Sequence, residues 1–164
     1  MENKKIICTN KDGEKFDVVA DQLKFRPSVY GVIAREGKVL LVRQWDGYDF
    51  PGGEINLGEK IENALVREVR EETGFDVKPL WLLTIDDDFH KMTFGYSFVQ
   101  SIQAYYLCDI VGGKLSKENF DVGQFEDKYM DLAEWVDLDD IGKVKLFDPV
   151  RSVKTRILDD LRRS

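Results

Sequence analysis

The sequence predicts a mixed α/β domain built from β-hairpins and at least two helices. Three observations carry this. Short β-branched runs are joined at Asp12-Gly13 and Glu36-Gly37, which read as hairpin turns. A stretch without Gly or Pro, Glu59 to Thr73, is rich in Glu, Arg, Ala, Leu and Val and stops at Gly74. Near the C-terminus, Val150, Val153, Ile157 and Leu161 recur at helical spacing.

In chain order, Lys5 to Thr9 and Phe16 to Ala20 form the first hairpin. Val29 to Arg35 and Lys38 to Val42 form the second. Pro51-Gly52-Gly53 breaks the chain into a loop before the first helix. Leu80 to Ile85 reads as a strand, Asp86-Asp87-Asp88 as a turn, and the aromatic run Phe94 to Leu107 as one or two strands. Gly112-Gly113 is a turn and Glu134-Trp135-Val136 a last strand. Asp148 suits the N-cap, and Pro149 the first position, of the closing helix.

Composition bounds the function. At roughly 100–200 residues per domain, the 164 residues make one domain, 1–164, with residues 1–25 as an N-terminal hairpin extension. Lys plus Arg number 24 and Asp plus Glu 31, a net charge of −7. That balance argues against a nucleic-acid polymer or an anionic membrane as partner, but admits a small phosphate ligand held through a metal. Cys8 and Cys108 give neither a disulfide framework nor zinc spacing. No signal peptide or membrane span is legible, so a cytoplasmic protein is expected.

The chemistry concentrates in the first helix. At ~100° per residue, Glu68 and Glu72 lie within about 40° of each other, and Glu71 falls on the same side. Ile61, Ala64, Leu65 and Val69 share the same arc of roughly 160°. The core-facing stripe is therefore apolar in its first turns and acidic in its last. Three carboxylates turned toward the protein body repel one another and lose hydration. A hard divalent cation, Mg²⁺ or Mn²⁺, compensates such a cluster; Arg67 and Arg70 are the alternative. The preceding glycines let backbone N–H groups approach phosphate oxygens.

The stretch from Gly53 to Phe75 resembles the Nudix box, GX5EX7REUXEEXGU with U apolar. Gly53, Glu59, Arg67, Glu68, Val69, Glu71, Glu72, Gly74 and Phe75 meet every specified position. The resemblance extends over most of residues 29–148. It implies an α/β/α sandwich around a mixed β-sheet, here with an extra N-terminal β-hairpin. It also implies a metal-dependent hydrolase that cleaves the diphosphate bridge of a nucleoside diphosphate linked to another group. A Nudix-fold binding module that senses nucleotides without cleaving them is the alternative. Glu68, Glu71 and Glu72 would hold Mg²⁺ or Mn²⁺, with Gly53 contributing backbone. Arg67 would orient a glutamate, and Glu59 would support the site. The general base would be a box glutamate, Glu68 or Glu71, or a later acid among Glu118, Asp121, Glu126 and Asp127; Glu126 is preferred for its place before Glu134-Trp135.

Substrate contacts are expected from Tyr48 and Phe50, at the mouth of a pocket beside the glycines, and from Gly52 and Arg43. Family subgroups carry a proline or tyrosine roughly 15–18 positions after the box; here those positions are His90, Lys91, Met92 and Thr93, and neither marker is present. His90 is the single histidine and stands as a surface or phosphate-side candidate. The N-terminal hairpin resembles the strands through which nucleoside-diphosphate-sugar members pair. It serves either a homodimer or as cover for a sheet edge.

Overall fold

The computed structural model describes residues 5–10, 12–44, 47–92, 97–116, 133–146 and 151–163. The first hairpin is β1 (Lys5–Thr9) and β2 (Lys15–Val19), and Gly13 in the turn has φ +80°. A 3-10 turn, Ala20–Gln22, leads into β3 (Leu23–Val32). The second hairpin closes between β4 (Ala34–Arg35) and β5 (Lys38–Gln44), and Glu36 and Gly37 both take positive φ there. Two positive φ values in sequence are what a type I′ turn demands.

The chain continues through β6 (Gly47–Asp49), β7 (Gly52–Glu54) and α1 (Ile61–Thr73). Then come the long strands β8 (Phe75–Lys91) and β9 (Phe98–Gly113). β10 (Glu134–Asp137) and α2 (Arg151–Arg163) follow. Six strands run in the order β2-β1-β8-β9-β3-β7, and β10-β5-β4 form a second sheet with β6 paired to β5. β3 and β9 are parallel, whereas β8–β9 and β3–β7 are antiparallel, so the larger sheet is mixed.

Alternation along the strands assigns the two faces. Leu40 and Val42 of β5, with Ala104 and Cys108 of β9, pack with Ala64, Leu65 and Val69 of α1. The intervening Val39, Leu41 and Tyr105 pack with Val153, Ile157 and Leu158 of α2. One helix thus covers each face, and the architecture is an α/β/α sandwich. Both cysteines are free and buried. No helix among the described residues is long and apolar enough to cross a membrane.

Several elements differ from the sequence reading. Asp86-Asp87-Asp88 is not a turn: it lies inside β8, opposite Gln103, Ile102 and Ser101 of β9. Pairing along a long hairpin outweighs the low strand propensity of Asp. Gly112 and Gly113 end β9 opposite Asp76 and Phe75 rather than forming a free turn. Gly52 and Gly53 are paired strand, opposite Tyr30 and Val29 of β3. Ile61, expected in the buried stripe, is exposed in the first turn of α1. Asp148, Pro149 and Val150 lie outside the described residues.

Candidate active site

The site begins where α1 meets the edge strand β7. Gly74 ends α1 in the left-handed conformation, φ +79°, and its N–H donates to the Arg70 carbonyl at 2.8 Å. That close is what the glycine stop predicts. It fixes which residues of the last turns face inward. Glu72 and Thr73 are buried there together with Ala64, Leu65 and Val69.

Glu72 is 8% exposed, and its Oε2 accepts the Gly52 N–H at 2.8 Å. Burial pushes its carboxyl well above the usual carboxylate range. The Gly52 N–H pulls it back, while the charges of Glu68, Asp49 and Glu71 push it further. Glu68 is half-buried, and desolvation raises its carboxyl against the lowering pull of Arg67. Glu71 is the most open of the three, with 43% of its side chain exposed.

Arg67 ties these groups together with all five of its N–H bonds. Nε and Nη2 donate to the two Glu59 oxygens at 2.9 Å each. Nη1 donates to Glu68 at 2.6 Å and to Glu71 at 3.3 Å, and Nη2 also reaches the Glu54 carbonyl at 3.1 Å. A guanidinium carries five donors in a rigid fork, so this one is saturated. Glu59 sits in the loop just before α1, and its hydrogen bonds to Arg67 hold its carboxyl below the ordinary value.

The two glycines do different work. A Cβ at Gly52 would lie 2.2 Å from the Val29 carbonyl oxygen and 2.6 Å from the Tyr30 Cα, both backbone atoms. A Cβ at Gly53 would lie 2.5 Å from Glu68 Oε2, the end of a side chain that can swing away. Gly52→Ala is therefore expected to break the β3–β7 pairing and cost about 2 kcal/mol or more of stability. Gly53→Ala is expected to leave the melting temperature nearly unchanged while displacing Glu68. A misplaced group of this kind costs on the order of 10²-fold in turnover. Thermal melts and initial rates on both variants separate the two effects.

The donor set fits a hard divalent cation. Glu72 has two oxygens, and among the described residues its carboxylate accepts one hydrogen bond. Among the described residues, the hydrogen bonds of Glu68 and Glu71 come from the shared Nη1 of Arg67. Uncompensated carboxylate lone pairs therefore remain at the end of α1. Among the described residues, no three His, Cys, Asp or Glu side chains close around one point as a complete protein cage. Mg²⁺ does not require one, since it keeps several waters and takes one or two carboxylates plus substrate phosphates.

The structure brings Glu68, Glu71, Glu72, Arg67, Glu59, Gly52 and Gly53 together, but not the other expected substrate contacts. Phe50 is buried in the α2-side core, edge-on to Tyr105, and does not stand at a pocket mouth. Its ring fills the core between the sheet and α2, with Val39, Leu41 and Tyr105. The Tyr48 hydroxyl donates to Glu134 of β10. Arg43 is exposed on β5, opposite Tyr48. His90 is half-buried on β8, with Nδ1 2.9 Å from Asp88 Oδ2. Glu118, Asp121, Glu126 and Asp127 lie outside the described residues. Two residues near the site were not singled out from sequence. Arg26 of β3 bonds Glu54, and Lys154 of α2 pairs with Asp49 just before the glycines.

A sheet covered by one helix on each face, with a glutamate-bearing helix end laid against an edge strand of glycines, defines an α/β/α sandwich with an acidic site at the sheet edge. The chain belongs to the Nudix hydrolase family: the profile of the NUDIX domain matches residues 24–161. It is 30% identical over 148 residues to an ADP-ribose pyrophosphatase of Methanocaldococcus jannaschii, covering 86% of this chain and 79% of that protein. It is 28% identical to the NAD-capped RNA hydrolase NudC of Salmonella paratyphi C, covering 82% of this chain but 46% of NudC. Among solved structures, a UDP-X diphosphatase superposes with a TM-score of 0.62 at 19% identity, over 85% of this chain and 64% of that one. A MutT Nudix hydrolase from Burkholderia pseudomallei gives 0.59 at 22% identity, over 83% and 97%. At these identities the structural likenesses show the fold.

Proposed function

We propose that this chain is a divalent-metal-dependent hydrolase that cleaves the diphosphate bridge of a nucleoside diphosphate linked to a second group. ADP-ribose and nucleotide sugars are the substrate class we favour, ahead of nucleoside triphosphates. One observation carries the reading: Glu72 and Glu68 lie against Gly52 and Gly53, with Arg67 spent on holding the neighbouring carboxylates. The 30% identity to an ADP-ribose pyrophosphatase supports the substrate class.

Glu68, Glu71 and Glu72 would hold Mg²⁺ or Mn²⁺, which when bound neutralises phosphate charge and lowers the pKa of a water. The protein's own part is geometric. The Gly52 N–H fixes Glu72, and the absence of side chains at Gly52 and Gly53 lets phosphate oxygens approach the backbone. Arg67 locks the carboxylates in place and so lowers the cost of assembling the site. Glu71 is the carboxylate most open to solvent, which makes it our first choice to take the proton of the attacking water; Glu126 is the second.

A hydrolysis panel tests this. It spans ADP-ribose, nucleotide sugars, dinucleoside polyphosphates, nucleoside triphosphates and capped dinucleotides, with products separated by chromatography. Turnover of a diphosphate-linked compound is expected in Mg²⁺. EDTA should abolish it and added Mg²⁺ or Mn²⁺ should restore it. Turnover that survives EDTA would overturn the metal role. Nucleotide binding with no product in either metal would favour the sensing module instead.

A further inference from the structure

We propose that Glu54 is a positioning residue for the metal-binding carboxylates: held at its side chain by Arg26 and at its carbonyl by Arg67, it sets where β7 lies along α1. This rests on the metal-dependent hydrolase reading of the site.

β7 is three residues long and ends the larger sheet, with β3 as its strand neighbour among the described residues. Two of the three residues are glycines, which weaken a strand. Yet both make contacts on which the site depends. The Gly52 N–H donates to Glu72, and Gly53 abuts Glu68 so closely that a Cβ would lie 2.5 Å from Oε2. The register shows which groups of β7 face α1. The N–H groups of Gly31 and Ile55 donate to the Pro51 and Pro27 carbonyls at 2.8 and 3.0 Å. Gly52 opposite Tyr30, and Glu54 opposite Ser28, are therefore non-hydrogen-bonded pairs of the antiparallel ladder. Their own N–H and C=O groups point away from β3. Two of these outward groups meet α1: the Gly52 N–H reaches Glu72, and the Glu54 carbonyl accepts from Arg67 Nη2 at 3.1 Å. Side chains of the helix thus stand where a further strand would.

Glu54 supplies the one side chain of β7, and that side chain is tied back to β3. Arg26 Nε donates to Glu54 Oε2 at 3.1 Å. Its Nη1 donates to Oγ of the buried Ser28 at 3.1 Å, and the guanidinium also hydrogen-bonds the Tyr30 side chain. Alternation puts Arg26, Ser28 and Tyr30 on one face of β3, so this arginine is fixed to its own strand. Arg67, at the other end of Glu54, also holds Glu59 and Glu68. One residue therefore joins β3, β7 and α1. Glu54 and Gly52 stand two residues apart on the same outer edge, so a shift of Glu54 carries the Gly52 N–H with it, and Glu72 loses its anchor. Groups that hold metal ligands in place set metal affinity almost as strongly as the ligands do.

The test uses Mn²⁺ as probe, titrated calorimetrically into the full chain without nucleotide, with melting temperatures taken in EDTA. Glu54→Ala is expected to weaken Mn²⁺ binding about tenfold. Its metal-free melting temperature should stay within about 4 °C of wild type, because the ion pair lost is a partly exposed one. Glu54→Gln should keep most of the affinity, since the amide oxygen still accepts from Arg26. Arg26→Ala should weaken Mn²⁺ binding as Glu54→Ala does, and the double variant no further, because the two act as one unit. Charge alone predicts the reverse for Arg26→Ala, since removing a cation favours a bound cation. Glu54→Ala that binds Mn²⁺ as wild type does would overturn the proposal. So would Glu54→Gln as damaging as Glu54→Ala beside a harmless Arg26→Ala, which would make Glu54 a ligand itself. Wild type that binds no Mn²⁺ is a different result: it removes the metal reading, and this proposal falls with it.

Discussion

Glu72→Gln is expected to lower turnover by on the order of 10²-fold or more, while raising the melting temperature of the metal-free protein at neutral pH. Both effects have one source. Glu72 is buried, its neighbours Glu68, Asp49 and Glu71 are like-charged, and one backbone N–H offsets this only in part. Its carboxyl is therefore pushed above its value in the unfolded chain, about 4.3. A group raised in this way favours folding below the unfolded value, and that contribution is lost as pH rises through the folded one. Above the unfolded value, holding the proton or ionising in the buried site costs stability, which glutamine avoids while still accepting the Gly52 N–H. The gain in the variant should shrink as pH falls through and below about 4.3, where Glu72 becomes protonated in the unfolded chain as well. Mg²⁺ should raise the melting temperature of the wild type and leave that of Glu72→Gln nearly unmoved. A variant that melts lower than wild type at pH 7.5, or keeps full turnover, would contradict this account.

The part of the site on α1 was legible because its residues are contiguous and helical geometry is regular. Spacing alone put Glu68, Glu71 and Glu72 on one side, and Gly74 marked the stop that the left-handed cap confirms. The depth of each carboxylate was not legible. It depends on β7 lying against the helix, which buries Glu72 and leaves Glu71 open. Gly52 and Gly53 read as a loop because glycines weaken a strand; β3 nevertheless pairs with them, since the absence of side chains lets its backbone come close. Phe50 was misplaced for a related reason, as its neighbours in sequence say nothing about the core under α2. Arg26 and Lys154 could not be found by motif. Each reaches the site from an element whose neighbour is set by tertiary pairing.

The second large effect is expected at Lys154. This lysine lies on the inner face of α2, and its Nζ is 2.6 Å from Asp49 Oδ1, with the two side chains 3% and 8% exposed. Asp49 also accepts the Phe50 N–H at 2.7 Å, and Nζ stands 5.9 Å from the centre of the Tyr30 ring. Burial raises the Asp49 carboxyl, and Lys154 is the first of the groups that pull it back. Lys154→Met removes that compensation and leaves a buried carboxylate, a change that costs about 3–5 kcal/mol. For a chain of this size the melting temperature should fall by roughly 6–20 °C. The deficit should be largest at neutral pH and close as pH falls, because without Lys154 the Asp49 carboxyl rises further and its protonated form restores the fold. Asp49→Asn combined with Lys154→Met should recover most of the stability, since the neutral pair leaves no buried charge. If that double variant folds, its turnover reports on the glycine strand, because Asp49 fixes the Phe50 N–H and the chain reaches Gly52 two residues later. A fold restored without turnover would assign the pair to positioning Gly52 and Glu72, whereas restoration of both would make it a core contact alone. A Lys154→Met protein that melts as wild type does would remove the premise.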